Sequence, residues 1–81
     1  MKQYPSLQEA TTRDDFKIEL IYENGEKKMY DFKDNLEHPF YQELKDVKLF
    51  SKVHVIQGEL VWESGQDFCP NTLYEKSAKI N

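Results

Sequence analysis

The sequence predicts a small α+β domain whose elements follow the order β-β-β-α-β-β-α. Two stretches in which apolar and polar residues alternate are interrupted by Asn24-Gly25 and Gln57-Gly58, dipeptides typical of hairpin turns. Two further stretches, near Pro39 and Pro70, carry apolar residues at the spacing of a helix. Because hairpin strands pair antiparallel, we expect one small antiparallel sheet, with the helices covering one face or end of it.

The first hairpin is the clearest element. The buried face of residues 16–23 is expected to hold Phe16, Ile18, Leu20 and Tyr22, and Ile21 is the one apolar residue on the other face. Asn24-Gly25 then favours a type I′ turn, which needs positive φ angles at both turn residues. Residues 26–32 form the returning strand, with Tyr30 and Phe32 on one face.

A short edge strand precedes this hairpin, and a central helix follows it. We expect the edge strand over residues 6–10 and a polar turn over residues 11–15. The helix is expected over residues 37–46, because apolar side chains recur there at spacings of three and four after Asn35 and Pro39.

The second hairpin and a terminal helix complete the predicted order. The hairpin strands are expected over residues 52–56 and 59–63, and Leu60 and Trp62 share a face of the later strand. The terminal helix is expected over residues 71–78, directly after a proline at the position that opens a helix.

Size and composition favour one domain over residues 1–81. A formal net charge of −4 and scattered Lys and Arg residues make direct nucleic-acid binding unexpected. The single Cys69 cannot form an internal disulfide, and the first residues lack the apolar run of a secretory signal. No segment approaches the roughly 20 apolar residues that cross a bilayer. We therefore expect a cytoplasmic protein without a membrane partner.

The residues that could perform chemistry form no recognisable constellation. His38 precedes the first helix and His54 is expected to face solvent on a strand, and neither has a metal ligand at suitable spacing. Cys69 would be activated if the helix that follows stabilised its thiolate, but a partly buried substitute for a helix cap is the favoured interpretation. We expect no catalytic residue, metal site or cofactor.

Four residues are candidates for binding. Asp31 lies inside a strand, where a carboxylate must be solvated or paired, and a Lys across the hairpin is the favoured partner. Asp67 is interpreted first as a cap of the last helix. Trp62 is interpreted first as a core anchor and second as an interface residue at a sheet edge. Tyr30 completes the set, since with Trp62 and either aspartate it would line an aromatic cleft.

Several of these features occur together in one bacterial family. The motif residues are Asn24-Gly25, Tyr30-Asp31-Phe32, Leu44, Phe50, Val53, Val55, Trp62, Gly65, Asp67, Pro70 and Leu73-Tyr74. On these residues the chain resembles DUF2442, a family of unknown function, over about residues 5–76. Glu63 departs from the pattern, since members often have Pro after the Trp. The resemblance implies a compact bacterial α+β domain, alone or joined to a helix-turn-helix, sometimes encoded beside another small protein in a toxin–antitoxin-like pair. It implies no established activity.

These observations favour an interaction or regulatory module over an enzyme. We expect a small protein partner, with an antitoxin-like role in a gene pair as the most specific form of this hypothesis. A small-ligand sensor is the alternative, and an enzyme built on Cys69 or the two aspartates is the third. A homodimer also stays open, because Ile21 and Ile56 are apolar residues on strand faces expected to meet solvent.

Overall fold

The computed structural model describes residues 4–80, and its elements confirm the α+β class. The strands are β1 (Leu7–Arg13), β2 (Lys17–Tyr22), β3 (Lys27–Asp31), β4 (Val53–Ile56), β5 (Glu59–Trp62), β6 (Asp67–Phe68) and β7 (Ala78–Lys79). The α-helices are α1 (Val47–Phe50) and α2 (Pro70–Lys76), and 3-10 turns span Asp14–Phe16, Lys33–Glu37 and Pro39–Lys45. No helix within residues 4–80 is long and apolar enough to cross a membrane.

The strands form two antiparallel sheets, whereas one sheet was expected. The first sheet has the order β1-β2-β3-β7 and the second has the order β4-β5-β6. The short strand β7, which was not predicted, pairs with β3 through Met29 and Ala78 and forms one edge of the first sheet. Leu36, Leu44 and Phe50 of the connecting segment are buried, so this segment contributes to the core between the hairpins.

The alternation predicted in the first hairpin is confirmed. Ile18, Leu20 and Tyr22 are buried, and Ile21 lies on the other face, half-buried. The core continues into an aromatic cluster around the fully buried Phe32. Its ring centroid lies within 5.1 to 6.1 Å of five other rings. Those rings belong to Tyr30, Tyr41, Phe50, Trp62 and Phe68.

The helix expected over residues 37–46 is replaced by 3-10 turns and the single turn α1. The N–H of His38 donates to the carbonyl of Asn35, and the N–H of Tyr41 donates to the carbonyl of His38. These three-residue bonds arise beside Pro39, which has no N–H to donate to an α-helical ladder. The apolar spacing predicted a helical segment, and the three-residue interval between Tyr41 and Leu44 matches the 3-10 helix, which has three residues per turn.

The hairpin turns differ from their predicted types. Gly25 has φ +91°, and Asn24 is not in the left-handed region, so the type I′ prediction is wrong there. The turn contains three residues, because the N–H of Tyr22 donates to the carbonyl of Glu26, and Asn24 Oδ1 accepts the N–H of Glu26 at 3.1 Å. The two-residue turn with positive φ at both positions occurs instead at Gln57-Gly58.

The first strand is longer than the edge strand expected over residues 6–10. It extends to Arg13, and the turn that follows is confined to Asp14–Phe16. Asp15 and Phe16 have φ values of 65° and 59°, so Phe16 belongs to a strained turn and not to β2. Its ring packs edge-on against Phe50 at 5.1 Å, a contact that explains how the turn is held.

Candidate functional site

The outward side of the second sheet presents a compact set of side chains. Strand register places His54 opposite Val61, Ile56 opposite Glu59, and Val61 opposite Asp67. Because side chains alternate along a strand, these five residues share one side of the sheet. Leu60, Trp62 and Phe68 occupy the other side, in the core. We call His54, Ile56, Glu59, Val61 and Asp67 the outer face.

The outer face combines an apolar centre with carboxylates. Ile56 is 54% exposed and Val61 is half-buried. Glu59 and Asp67 flank this pair, and Glu63 joins them at the end of β5, where its Oε2 lies 2.9 Å from Nε2 of His54. Strands β4, β5 and β6 contain no Lys or Arg, whereas every strand of the first sheet contains at least one. The second sheet is therefore the acidic one.

Sequence reasoning found only part of this surface. Ile56 was recognised as an apolar residue expected to meet solvent, and Asp67 was among the binding candidates. Val61, Glu59 and Glu63 were missed. The register of the second hairpin would have found them, because a two-residue turn at Gln57-Gly58 places Ile56 opposite Glu59.

Two of the four binding candidates lie in the core. Trp62 is 1% exposed, and its indole N–H donates to the carbonyl of Phe50 at 2.9 Å. Tyr30 is also buried, and its hydroxyl donates to Asn35 Oδ1 at 2.6 Å. Trp62 is thus a core residue, as its first interpretation predicted. It does not lie at a sheet edge, because β5 is the middle strand of the second sheet. Both rings belong to the aromatic cluster around Phe32.

The two aspartates lie on opposite sheets. Asp31 is exposed on β3, and its Oδ1 accepts the N–H of Lys33 at 3.0 Å, with Lys33 Nζ at 4.0 Å from Oδ2. The contacting Lys is therefore two residues along the chain, although Lys17 is the residue opposite in the hairpin. Asp67 belongs to β6, and its carbonyl accepts the Tyr41 hydroxyl at 2.7 Å. The predicted cleft of Tyr30, Trp62 and an aspartate is not formed.

The remaining polar candidates are local structural groups. His38 Nδ1 accepts the N–H of Phe40 at 3.2 Å and so caps a 3-10 turn. Cys69 is exposed at the start of α2 without a side-chain capping bond. The pKa of the Cys69 thiol is lowered, most strongly by the N–H of Thr72 and then by the Thr72 hydroxyl and the N–H of Asn71. Within residues 4–80, no group of three or more His, Cys, Asp or Glu side chains is arranged to hold a metal ion.

The family comparison agrees with the motif residues. A family model described as "Protein of unknown function (DUF2442)" matches residues 7–79. The chain belongs to the DUF2442 family. The matched range runs from the start of β1 to the end of β7, so both sheets and the outer face lie inside the DUF2442 region. Comparisons with curated proteins and with solved structures find no match. The DUF2442 description names no activity.

Proposed function

We propose that this DUF2442 protein is a non-enzymatic protein-interaction module that binds a basic partner through the outer face. The observation that carries this proposal is the exposed Ile56 at the centre of a sheet whose strands contain carboxylates and no Lys or Arg. The other side of the same sheet is already packed into the core, so the outer face is the side available for binding.

The apolar pair supplies a reason to associate. Ile56 lies beside Glu59, and Val61 lies between His54 and Asp67, so the two aliphatic side chains sit among polar neighbours. An apolar centre with a polar rim is the usual arrangement of a protein interface. Burying an exposed Ile side chain contributes about 1.5 to 3 kcal/mol. A partner with an aliphatic residue at the matching position would gain this contribution.

The charge of the outer face selects the kind of partner. Glu59 and Asp67 of the outer face and the adjoining Glu63 carry negative charge. The exposed Lys52, whose carbonyl accepts the N–H of Glu63, is the cation beside them, and the whole chain has a formal net charge of −4. Complementary charge speeds encounter and suppresses partners of the same sign. A second copy docking through the same face would bring like charges together. We therefore propose a different, basic protein, and homodimer formation stays a sequence-based prediction.

The outer face can be tested with defined probes. The purified protein is immobilised and used to select from a display library of random twelve-residue peptides. We expect enriched peptides to combine Lys or Arg with aliphatic residues, and their binding to weaken in high salt because screening acts on exposed charges. Selection of acidic peptides, or the absence of any enrichment, would contradict the proposal.

A pair of matched variants locates the binding surface. Ile56→Lys places a positive charge at the centre of the outer face, and Ile21→Lys makes the same change on the outward side of the first sheet. We expect the selected peptides to lose binding to Ile56→Lys and to keep binding to Ile21→Lys. Equal loss with both variants would show that the outer face is not the binding surface. An antitoxin-like role and a cytoplasmic location stay predictions from the sequence.

A further inference from the structure

A groove lies beside the outer face, between the N-terminal segment, the β4–β5 turn and the start of α2. Its volume is about 220 Å³. The apolar floor is formed by Leu7, Tyr22 and Leu73, all of which are buried. Pocket volumes for drug-sized ligands run from about 300 to 1,000 Å³, so this groove suits a single side chain or a comparably small group.

The groove is continuous with the proposed interface. Glu59 lines the groove and also belongs to the outer face, where it lies opposite Ile56. Gln57 and Gly58, which join β4 to β5, form part of the same wall. A partner segment lying on the outer face would therefore pass the opening of the groove at Glu59.

The charge around the groove is negative. Among residues 4–80, Glu59 is the one acidic residue that lines the groove, and no Lys, Arg or His of that range lines it. Two more carboxylates bind lining residues, since Glu23 Oε2 accepts the N–H of Ser6 at 3.1 Å and Glu75 accepts the Tyr4 hydroxyl. The first turn of α2 also borders the groove, through Pro70 and Asn71.

The aromatic wall of the groove is also suited to a cation. Tyr4 and Tyr22 line the groove, and both rings pack on Tyr74, at centroid distances of 4.9 and 5.1 Å. Tyr74 does not line the groove, and its ring already contacts the Lys28 ammonium at 3.7 Å from the centroid, so Tyr4 and Tyr22 are the aromatic residues that an entering cation would meet.

The turn that forms the wall is held in an unfavourable conformation. Gln57 has φ +52°, a region where residues other than Gly, Asn and Asp are uncommon. The two-residue turn between β4 and β5 requires this positive φ. Gln57 gives the wall an amide that can accept a hydrogen bond from a cationic donor.

We propose that the groove receives a Lys or Arg side chain of the basic partner. The aliphatic stem of that side chain would lie on Leu7, Tyr22 and Leu73, and its charged end would reach Glu59 and Gln57. This assignment rests on the proposed function, because it names the partner group that enters beside the outer face.

The test is an amide chemical-shift titration of the full chain with blocked amino acids. Acetylated and amidated lysine and arginine are the probes, and blocked norleucine is the neutral control. We expect saturable shifts confined to Gln57, Gly58, Glu59 and Asn71 with either cationic probe, and none with norleucine. We expect Glu59→Gln to weaken binding about tenfold, as the loss of a charge-assisted hydrogen bond does, and Glu9→Gln on the first sheet to leave it unchanged.

The outcomes separate this inference from the proposed function. Shifts of equal size with norleucine, unchanged affinity in Glu59→Gln, or no shifts at the groove would overturn the groove assignment. If the selected peptides still lose binding to Ile56→Lys in any of those cases, the outer face stands without the groove. If the blocked amino acids bind as expected but Ile56→Lys has no effect on the peptides, the proposed interface fails and the cation groove stands alone.

Discussion

The indole N–H of Trp62 donates a 2.9 Å hydrogen bond to the carbonyl oxygen of Phe50, and both side chains are buried. Phe50 ends α1 and Trp62 ends β5, so this bond joins the segment between the hairpins to the middle strand of the second sheet. The two rings are 6.1 Å apart, and the Phe32 ring contacts both. The outer face is therefore backed by the aromatic cluster around Phe32.

Replacing Trp62 with Phe should lower the free energy of unfolding by about 2 to 4 kcal/mol, because it leaves a cavity and removes the donor to Phe50. Urea unfolding followed by circular dichroism measures the change. Tyr41→Phe is the matched control, since it removes one hydrogen bond at a half-buried position and should cost about 1 kcal/mol. Equal losses in the two variants would mean that Trp62 is not the anchor described here.

Replacing Gln57 with Asn should stabilise the fold by a few tenths of a kcal/mol to about 1 kcal/mol, because Asn tolerates positive φ better than Gln. The midpoint of thermal unfolding should rise accordingly. The control is Gln42→Asn, which makes the same chemical change at an exposed position outside the left-handed region. A lower midpoint for Gln57→Asn would show that the Gln side chain contributes more to stability than its backbone conformation costs.

The sequence predicted elements that depend on local alternation. The strand over residues 16–23 was recognisable because burial on one face demands an apolar residue at every second position, and Ile18, Leu20 and Tyr22 are buried as expected. The terminal helix was recognisable for a similar local reason, since Pro70 opens it and Leu73 anchors it. Both predictions needed no knowledge of the rest of the fold.

Features that depend on distant contacts could not be predicted. The two-residue strand β7 exists because Ile80 N–H and Lys27 carbonyl meet at 2.8 Å, a pairing with no signal in its own sequence. The prediction for Asn24-Gly25 was wrong because the same dipeptide occurs in two-residue and three-residue turns. Here Asn24 Oδ1 accepts the N–H of Glu26, which stabilises the three-residue turn.

The hydroxyl of Tyr22 is buried without a hydrogen-bond partner among residues 4–80, and Tyr22 is 3% exposed. Tyr22→Phe should therefore be neutral at pH 7 or stabilise the protein by about 1 kcal/mol, because it removes an unsatisfied polar group. Thermal unfolding at pH 7 tests this. A loss above about 2 kcal/mol would show that the hydroxyl is satisfied in solution.

The same residue should make stability fall at high pH. Burial first, and then the nearby Tyr74 and Glu26, raise the pKa of Tyr22 from 10.0 to about 12, and the Ser77 side chain acts in the opposite direction. The pKa of Tyr22 is higher in the folded protein than in the unfolded chain. The contribution of Tyr22 to the free energy of unfolding is therefore fully present below pH 10 and is lost as pH rises toward 12. The slope is about 1.4 kcal/mol per pH unit. Tyr22→Phe should unfold with a shallower pH dependence, and identical slopes would contradict the assignment.

The thiol of Cys69 should react faster than an unperturbed thiol near neutral pH. Its pKa is lowered first by the N–H of Thr72, and the side chain is exposed. Iodoacetamide labelling followed by mass spectrometry gives the pH at which half the maximal rate is reached. We expect that midpoint to be lower for the folded protein than for the same chain in urea. Equal midpoints would show that the start of α2 does not stabilise the thiolate.

Replacing the buried Lys28 with Met should loosen the attachment of α2 and β7 to the first sheet. Lys28 is 8% exposed, and its Nζ donates to the carbonyl of Tyr74 at 2.6 Å near the end of α2, where a positive charge is favourable. We expect a loss of about 1.5 to 3 kcal/mol, since Met keeps the apolar stem and removes a charge-assisted bond. Amide exchange of Ile80 should accelerate, because its N–H is held by the neighbouring Lys27 carbonyl. The exposed Lys48→Met is the control, and unchanged exchange of Ile80 in Lys28→Met would mean that β7 is held independently of this ammonium group.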